Sequence, residues 1–93
     1  MDSKEIPSYE DILSAKTYLK GLINRTPLIR STTLGNEYGS ELYFKLENFQ
    51  KTGSFKSRGA LFRFSKLNDE DRKRGVITAS AGNHAQGVAY AAK

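Results

Sequence analysis

The positions of hydrophobic residues divide the chain into short segments with different periods. Between Ser8 and about Ile23, apolar residues recur at helical spacing, at positions 12, 15, 19, 22 and 23. Ser8 is a candidate N-cap, and Asp11 three residues later predicts a capping box. We therefore expect an amphipathic helix that ends before Asn24 and Pro27.

The segment from Glu41 to Glu47 alternates regularly between apolar and polar residues. A period of two is typical of a strand, so Leu42, Phe44 and Leu46 are predicted to form one well-buried face. Upstream of it, residues 28–29 are expected to be extended. A small helix should follow, capped within residues 31–33 and stopped near residue 35 or 39, where the chain has glycine.

The second half predicts two further helices and one more strand. A helix is expected from about Phe55 to Leu67, with an inward apolar stripe that includes Ala60. The charged residues 68–74 connect it to a short apolar strand over 75–79 and then to an Ala-rich helix from about Asn83. Strands and helices in this order predict an α/β fold with parallel strand pairing.

Composition narrows the function classes. The 93 residues are 38% hydrophobic, with a mean hydropathy of −0.58, and no apolar run approaches the roughly 20 residues that span a bilayer. The opening Met-Asp-Ser-Lys-Glu lacks the apolar region of a secretory signal. We therefore expect a cytoplasmic protein with no membrane partner.

Charge and metal-ligand content exclude other classes. The net charge of +5 and pI near 9.6 formally invite nucleic-acid binding. However, the basic residues are spread along the chain, mixed with acids, and accompany no nucleic-acid motif, so we expect no nucleic-acid partner. With no cysteine and the single histidine His84, neither a thiolate nor a histidine metal cluster is possible.

A Gly/Ser loop places Lys56 in the first turn of a predicted helix. The loop and turn read Lys51-Thr52-Gly53-Ser54-Phe55-Lys56-Ser57-Arg58-Gly59-Ala60. The positive end of the helix dipole disfavours charge on an amine there, and burial would act in the same direction. Lysines that react with carbonyl groups need that bias. The alternative is an ordinary solvated lysine.

A second candidate site lies where the predicted strand 75–79 passes to the last helix, at Ser80-Ala81-Gly82-Asn83-His84. The first N–H groups of a helix have no internal partner, so small residues before them allow an anion to approach. The alternative is an ordinary turn, in which Gly82 supplies a positive φ, Asn83 caps the helix and His84 packs locally.

Two segments resemble one enzyme superfamily. Residues 45–60, Lys-Leu-Glu-Asn-Phe-Gln-Lys-Thr-Gly-Ser-Phe-Lys-Ser-Arg-Gly-Ala, are similar to the cofactor-lysine segment of pyridoxal-phosphate enzymes of the tryptophan-synthase-β type. Residues 78–87, Thr-Ala-Ser-Ala-Gly-Asn-His-Ala-Gln-Gly, resemble the second motif of that superfamily. Both look most like the threonine dehydratase and serine racemase group, and closest to threonine dehydratase.

The resemblance implies a fold and a division of the chain. The fold would be the start of a tryptophan-synthase-β-like α/β architecture, a truncated three-layer α/β/α arrangement. Residues 1–70 would belong to the large cofactor domain, and residues 71–93 would begin the small domain. In this superfamily a Gly-rich loop that holds the cofactor phosphate comes later than these motifs.

The resemblance also implies roles for individual residues. Lys56 would hold pyridoxal 5′-phosphate and later remove the substrate α-proton, and Phe55 would pack against the cofactor ring. Asn83 would bond the ring hydroxyl. The substrate carboxylate would be bound by the loop that contains Ser80, Gly82, Asn83 and His84.

The implied reaction is the dehydration and deamination of L-threonine, and of L-serine, to a 2-oxo acid and ammonia, as in isoleucine biosynthesis. Serine racemases resemble this loop but have a second serine where this chain has Ala81, which favours dehydration. Lys51 and Thr52, with residues 31–33, match positions that contact a nucleotide effector between subunits in relatives. An ordinary loop is the alternative.

Two other functional hypotheses stay open. One is a serine dehydratase or racemase, and the other is a non-catalytic fragment that folds by self-association. We expect a homo-oligomer with a small amino-acid substrate, and an isolated chain that is inactive because it holds only part of a pocket.

Overall fold

The computed structural model of the chain describes residues 6–93; the interpretation of the first five residues as lacking a signal therefore lies outside this range. Five α-helices, two strands and a 3-10 turn occur in the described residues. They are α1 (Tyr9–Leu19), β1 (Leu28–Ser31), α2 (Thr32–Tyr38), β2 (Leu42–Lys45), the 3-10 turn Glu47–Phe49, α3 (Lys56–Ser65), α4 (Asp69–Arg74) and α5 (Asn83–Ala92).

Helix α1 begins at the predicted capping box. The Ser8 amide donates to Asp11 Oδ2 at 2.8 Å, and the Asp11 amide donates to Ser8 Oγ at 3.1 Å. The helix ends at Leu19 rather than near residue 23, because Gly21 turns the chain with a φ of +84°. Leu19 is the only residue of the helix that is buried, so the predicted inward stripe is largely exposed.

Strands β1 and β2 pair antiparallel, with Leu28 opposite Lys45 and Ser31 opposite Leu42. Parallel pairing was expected for strands joined by a long helix, over 41–47 and 75–79, and not for this pair. Residues 32–41 form the whole connection between the strands, and a parallel crossover needs a dozen or more residues. The small helix in that connection, α2, is confirmed: Ser31 caps it, and Gly39 ends it with a φ of +64°.

Two expectations about strands are wrong. The apolar face of β2 is not well buried, since Phe44 is 46% exposed. In the described residues, 75–79 form no strand, and Ile77 is 98% exposed. The causes differ: β2 is paired with β1, but residues 6–93 place no layer over its apolar face, whereas residues 75–79 have no hydrogen-bonded neighbouring strand there.

The charged connection 68–74 contains helix α4 rather than a loop alone. The side chain of Asn68 accepts a hydrogen bond from the Asp71 amide at 2.8 Å, which caps the helix. Acidic residues occupy its first turn and basic residues its last turn, as the helix dipole favours.

Helix α3 is the centre of the packing. Helices α5 and α1 both pack against it, and the buried hydrophobic residues among residues 6–93 are Ala60 of α3 and Leu19 of α1. On the α1 side, the rings of Tyr18 and Phe62 have centroids 6.1 Å apart. None of the helices in residues 6–93 is long and apolar enough to cross a membrane. This packing brings the starts of α3 and α5, which carry the two motifs, into one region.

Candidate active site

Lys56 is the first residue of α3, one residue after the predicted helix start. The loop before it turns at Gly53, which has a φ of +75°, and the hydroxyl of Ser54 accepts a hydrogen bond from the Lys56 amide at 3.3 Å. The Lys56 side chain is exposed, and its Nζ lies 5.4 Å from the centroid of the Phe55 ring. The loop therefore presents an amine and an exposed aromatic face side by side.

Helix α5 touches the main chain of Lys56 through a glycine. A Cβ added to Gly87 would lie 3.0 Å from the Lys56 carbonyl carbon, 3.1 Å from its oxygen and 3.2 Å from its Cβ. Backbone atoms cannot move aside as the end of a flexible side chain can, so any other residue at position 87 would push α5 and α3 apart by a few tenths of an ångström. Asn83 precedes Gly87 by four residues and therefore shares its face of α5, about one turn nearer the helix start.

The start of α5 is open. Gly82, its N-cap, has a φ of 175°, so the backbone is extended there and not left-handed, contrary to the ordinary-turn interpretation. The Ser80 hydroxyl accepts a hydrogen bond from the Gly82 amide at 3.2 Å, and a Cβ at Gly82 would meet nothing within 4 Å. Asn83 and His84 are exposed. The unpaired N–H groups of the first turn are thus accessible to a small anion.

His84 also borders a shallow groove between α3 and α5. The groove has a volume of about 360 Å³, and Gly59, Ala60, Arg63 and Val88 line it together with His84. In residues 6–93 no group of three or more histidine, cysteine or carboxylate side chains is arranged to hold a metal ion.

An ion pair that the sequence did not reveal holds the first turn of α3, which carries Lys56, in place. Arg58, two residues after Lys56, donates through Nε to one Glu47 oxygen and through Nη2 to the other at 3.1 Å. The buried Thr26 donates its hydroxyl to Glu47 at 2.5 Å. The Arg58 guanidinium, and with it the Thr26 hydroxyl, lowers the pKa of Glu47 to about 2. Eleven residues separate the pair, so no helical or strand period could have predicted it.

The buried amide of Gln50 fastens the same loop at a second point. Its Oε1 accepts hydrogen bonds from the Asn24 amide at 2.8 Å and the Lys51 amide at 3.0 Å, and its Nε2 donates to the Asn24 carbonyl at 2.9 Å. Asn24 in turn donates through Nδ2 to the Phe49 carbonyl at 3.0 Å. The segment before β1 and the loop before α3 are therefore joined.

The residues predicted to contact a nucleotide effector lie in two places. Lys51 is exposed, and the hydroxyl of Thr52 is buried without a hydrogen-bond partner in the described residues. Ser31 uses its hydroxyl to cap α2, at 3.4 Å from the Leu34 amide. An effector role for these residues stays a prediction.

Comparison with known proteins identifies the family. The family model described as "Pyridoxal-phosphate dependent enzyme" matches residues 19–93. The chain is 56% identical over 84 residues to L-threonine ammonia-lyase of Thermotoga maritima, covering 90% of this chain and 21% of that protein. It is 49% identical over 92 residues to serine racemase of Schizosaccharomyces pombe, covering 99% of this chain and 28% of that protein.

A solved structure gives the same result. The structure of maize serine racemase matches with a TM-score of 0.83 and 41% identity, covering 95% of this chain and 28% of that one. The fold expected from the two motifs is thereby confirmed, as is dependence on pyridoxal phosphate. The chain spans between about a fifth and under a third of the length of these relatives. It belongs to the pyridoxal-phosphate-dependent enzyme family, as part of the fold that threonine ammonia-lyases and serine racemases share.

Proposed function

We propose that the protein to which these residues belong dehydrates and deaminates L-threonine, and L-serine, to a 2-oxo acid and ammonia. The observation that supports this most strongly is the contact between Gly87 and the Lys56 main chain, because it packs the turn that carries Lys56 against α5 about one turn from the open start of that helix. The similarity to a threonine ammonia-lyase supports the substrate. We also propose that the substrate is a small amino acid and that the protein is cytoplasmic and homo-oligomeric.

The residues present fit one end of pyridoxal phosphate. The exposed Lys56 amine makes no ion pair within residues 6–93 and is available to a carbonyl carbon, while Phe55 offers an exposed ring face 5.4 Å from it. The exposed Asn83 carries an amide that can bond a ring hydroxyl. When bound, the cofactor supplies an electron sink for the carbanion that forms when a substrate loses its α-proton.

The chain's own groups then have distinct tasks. The open N–H groups at the start of α5, with Ser80 and His84 beside them, would bind and orient the substrate carboxylate. Lys56 would take the proton from the substrate α-carbon, a role that needs a neutral amine within hydrogen-bond reach. Binding the carboxylate at a fixed point beside the amine sets the geometry for that transfer.

Ala81 favours dehydration over racemisation. Racemisation needs an acid that returns a proton on the face opposite Lys56, and a methyl group cannot carry one. A serine racemase is nevertheless the second candidate, because two of the similar proteins reported above bear that name. Residue 81 is the position at which the two candidates can be separated.

A chimera tests the proposed reaction. The 93 residues would replace the matching segment of the Thermotoga maritima threonine ammonia-lyase, and 2-oxo acid formation from L-threonine and L-serine would be measured. We expect activity with both, lost to background in Lys56→Ala and retained in Lys66→Ala, which removes another exposed lysine of the same region. A chimera that folds and binds cofactor but forms no 2-oxo acid would contradict the proposal.

A second chimera, with the Schizosaccharomyces pombe serine racemase as host, isolates residue 81. We expect racemisation to be about a hundredfold or more below that of the host, and Ala81→Ser to restore it, because a placed acid contributes roughly that factor. Unchanged racemisation with Ala81 in place would favour the racemase reading.

The isolated chain is proposed to be inactive. Many apolar side chains are exposed along it, among them Ile12, Leu28, Phe49 and Ile77, and such surfaces favour association. A purely self-associating, non-catalytic role is the remaining candidate. Size measured against concentration, together with cofactor uptake, separates the two, since the non-catalytic reading predicts association without uptake.

A further inference from the structure

The first turn of α3 has no side-chain cap of its own. Phe55 occupies the N-cap position, where its ring cannot accept a hydrogen bond, and the nearest substitute is the 3.3 Å contact from the Lys56 amide to Ser54. A helix end without a cap frays easily. Something else must hold the turn that carries Lys56.

The ion pair between Glu47 and Arg58 provides that support. Arg58 lies in the same first turn as Lys56, and it contacts both oxygens of Glu47. The side chains are 33% and 16% exposed, whereas every other ion pair in residues 6–93 has both partners at least 46% exposed. Forked contacts of this kind fix orientation as well as distance, while exposed single contacts contribute little.

Glu47 is itself a fixed point. It lies in the 3-10 turn after β2 and accepts the Thr26 hydroxyl at 2.5 Å. The position of Thr26 is also fixed, because its carbonyl accepts a hydrogen bond from Lys45 Nζ at 2.6 Å. The hydrogen bonds of Gln50 to Asn24 hold the other end of the turn. The start of α3 is thus tied through Arg58 to the base of the β1–β2 hairpin.

We propose that Glu47 and Arg58 are positioning residues that fix the first turn of α3 and so hold the Lys56 side chain in its place beside Gly87 of α5. The inference rests on the proposed role of Lys56 as the cofactor lysine. Arg58 uses Nε and Nη2 on Glu47, so these two groups are not available to another anion. The pair acts on Lys56 through the helix turn that Arg58 and Lys56 share.

Two readouts on the 93-residue chain test this inference. The first is hydrogen exchange of the amides of residues 60–61, which needs no cofactor, because their helical hydrogen bonds run to the carbonyls of Lys56 and Ser57 in the first turn. The second is the share of borohydride-trapped pyridoxal phosphate found on Lys56 among the nine lysines. Glu47→Gln keeps the shape of the side chain and removes its charge, Arg58→Lys keeps the charge and removes the fork, and Glu70→Gln breaks the exposed pair with Arg74 as the control.

We expect Glu47→Gln to speed exchange in residues 60–61 by about tenfold or more. It should lower the label on Lys56 by a similar factor, since small displacements of a reacting group have effects of that size. Arg58→Lys keeps the charge and should therefore change both by less than Glu47→Gln does. Label on the introduced lysine is counted separately, and the total label on the other eight lysines should not change. Glu70→Gln should leave both readouts at the wild-type value.

Outcomes against the inference are distinct from failure of the proposed function. Exchange and Lys56 label that are unchanged in Glu47→Gln overturn the positioning role, whatever the reaction is. A different result would count against the proposed function alone. If wild-type label shows no preference for Lys56, while the first turn is protected from exchange in wild type and loses protection in Glu47→Gln, the role of Lys56 in this chain is overturned. Equal loss of protection throughout residues 6–93 in Glu47→Gln would indicate a general stabilising role and would also overturn the inference.

Discussion

The two motifs are supported very differently. The loop that leads to Lys56 is held by the Glu47–Arg58 ion pair and by the buried amide of Gln50, which together tie it to the segment before β1. Residues 75–80, which lead to the second motif, form no helix or strand, and Ile77 in that segment is 98% exposed. The second motif is held from its far side, by packing of α5 on α3.

This difference shows how the site is assembled. The lysine half of the site, which comprises the loop from Glu47 and the first turn of α3 with Lys56, is fixed by contacts that span residues 24–58. The half proposed to bind the substrate carboxylate, called the carboxylate half below, is fixed where Gly87 meets Lys56, and residues 75–80 on its other side form no helix or strand. We therefore expect the lysine half to be formed in this chain and the carboxylate half to need contacts from the rest of the protein.

The largest expected effect comes from filling the contact between the two halves. Gly87→Ala places a methyl group 3.0 to 3.2 Å from main-chain and Cβ atoms of Lys56, so α5 must move away from α3. Overpacking of this kind lowers the free energy of unfolding by about 1–3 kcal/mol. Urea unfolding followed by circular dichroism measures it.

Gly59→Ala is the matched control for that change. Gly59 is also in a helix, and a Cβ there would meet nothing within 4 Å. Alanine should raise the free energy of unfolding by up to about 1 kcal/mol through helix propensity alone. If both variants change stability alike, the close approach of α5 to Lys56 is wrong.

The next effect concerns the support of the lysine half at low pH. Arg58 lowers the pKa of Glu47 from its ordinary 4.5 to about 2. Since the folded-state pKa is below the unfolded one, the stabilisation is complete above pH 4.5 and is lost as the pH falls through 2. Wild type should lose about 1–2 kcal/mol more than Glu47→Gln over this window.

Unfolding curves at several pH values for wild type and Glu47→Gln give that difference. Asp11 also has a lowered pKa, caused by hydrogen bonds from Ser8. Asp11→Asn is therefore the control, and Glu47→Gln should still differ from wild type in that background. Parallel pH profiles for wild type and Glu47→Gln would show that the ion pair does not support the loop.

A smaller effect on stability is expected at a buried hydroxyl of the lysine half that has no hydrogen-bond partner within residues 6–93. Ser57 is fully buried, and its hydroxyl has no hydrogen-bond partner in the described residues. Ser57→Ala removes an unpaired polar group and should raise the free energy of unfolding by about 1 kcal/mol. Ser54→Ala, which removes the acceptor for the Lys56 amide, should instead lower it by about 0.5–1 kcal/mol. The same sign for both would contradict these local assignments.

The smallest change in stability is expected in the poorly supported segment. Ile77 is almost fully exposed, so Ile77→Ser should change the free energy of unfolding by less than about 0.5 kcal/mol. The same variant should reduce self-association, because it removes an exposed apolar side chain. Analytical ultracentrifugation at several concentrations measures this, and a marked loss of stability would show that residues 75–80 are packed.

Features determined by neighbouring residues could be predicted from the sequence. The capping box at Ser8 and Asp11, the cap at Ser31 and the helix start near Lys56 are confirmed, because each depends on spacings of a few residues. Helix α4 could have been found in the same way, from Asn68 followed by acids and then by bases.

Features that depend on distant partners could not be predicted. The strand over 75–79 was wrong because its apolar pattern does not show whether a partner strand lies beside it. The Glu47–Arg58 pair was missed because a loop, not a regular element, brings the two together. The contact of Gly87 with Lys56 needed the packing of α5 on α3, which no local pattern contains. The predicted division at residue 70 and the site roles stay predictions.

The most direct test of whether the lysine half is already formed in this chain is trapping of pyridoxal phosphate on the wild type. After borohydride reduction, peptide mapping gives the label on each of the nine lysines. We expect the label to concentrate on Lys56 and to disappear from that peptide in Lys56→Ala. Label spread evenly over the lysines, with Lys56 no higher than Lys16, Lys20 or Lys73, would contradict this expectation.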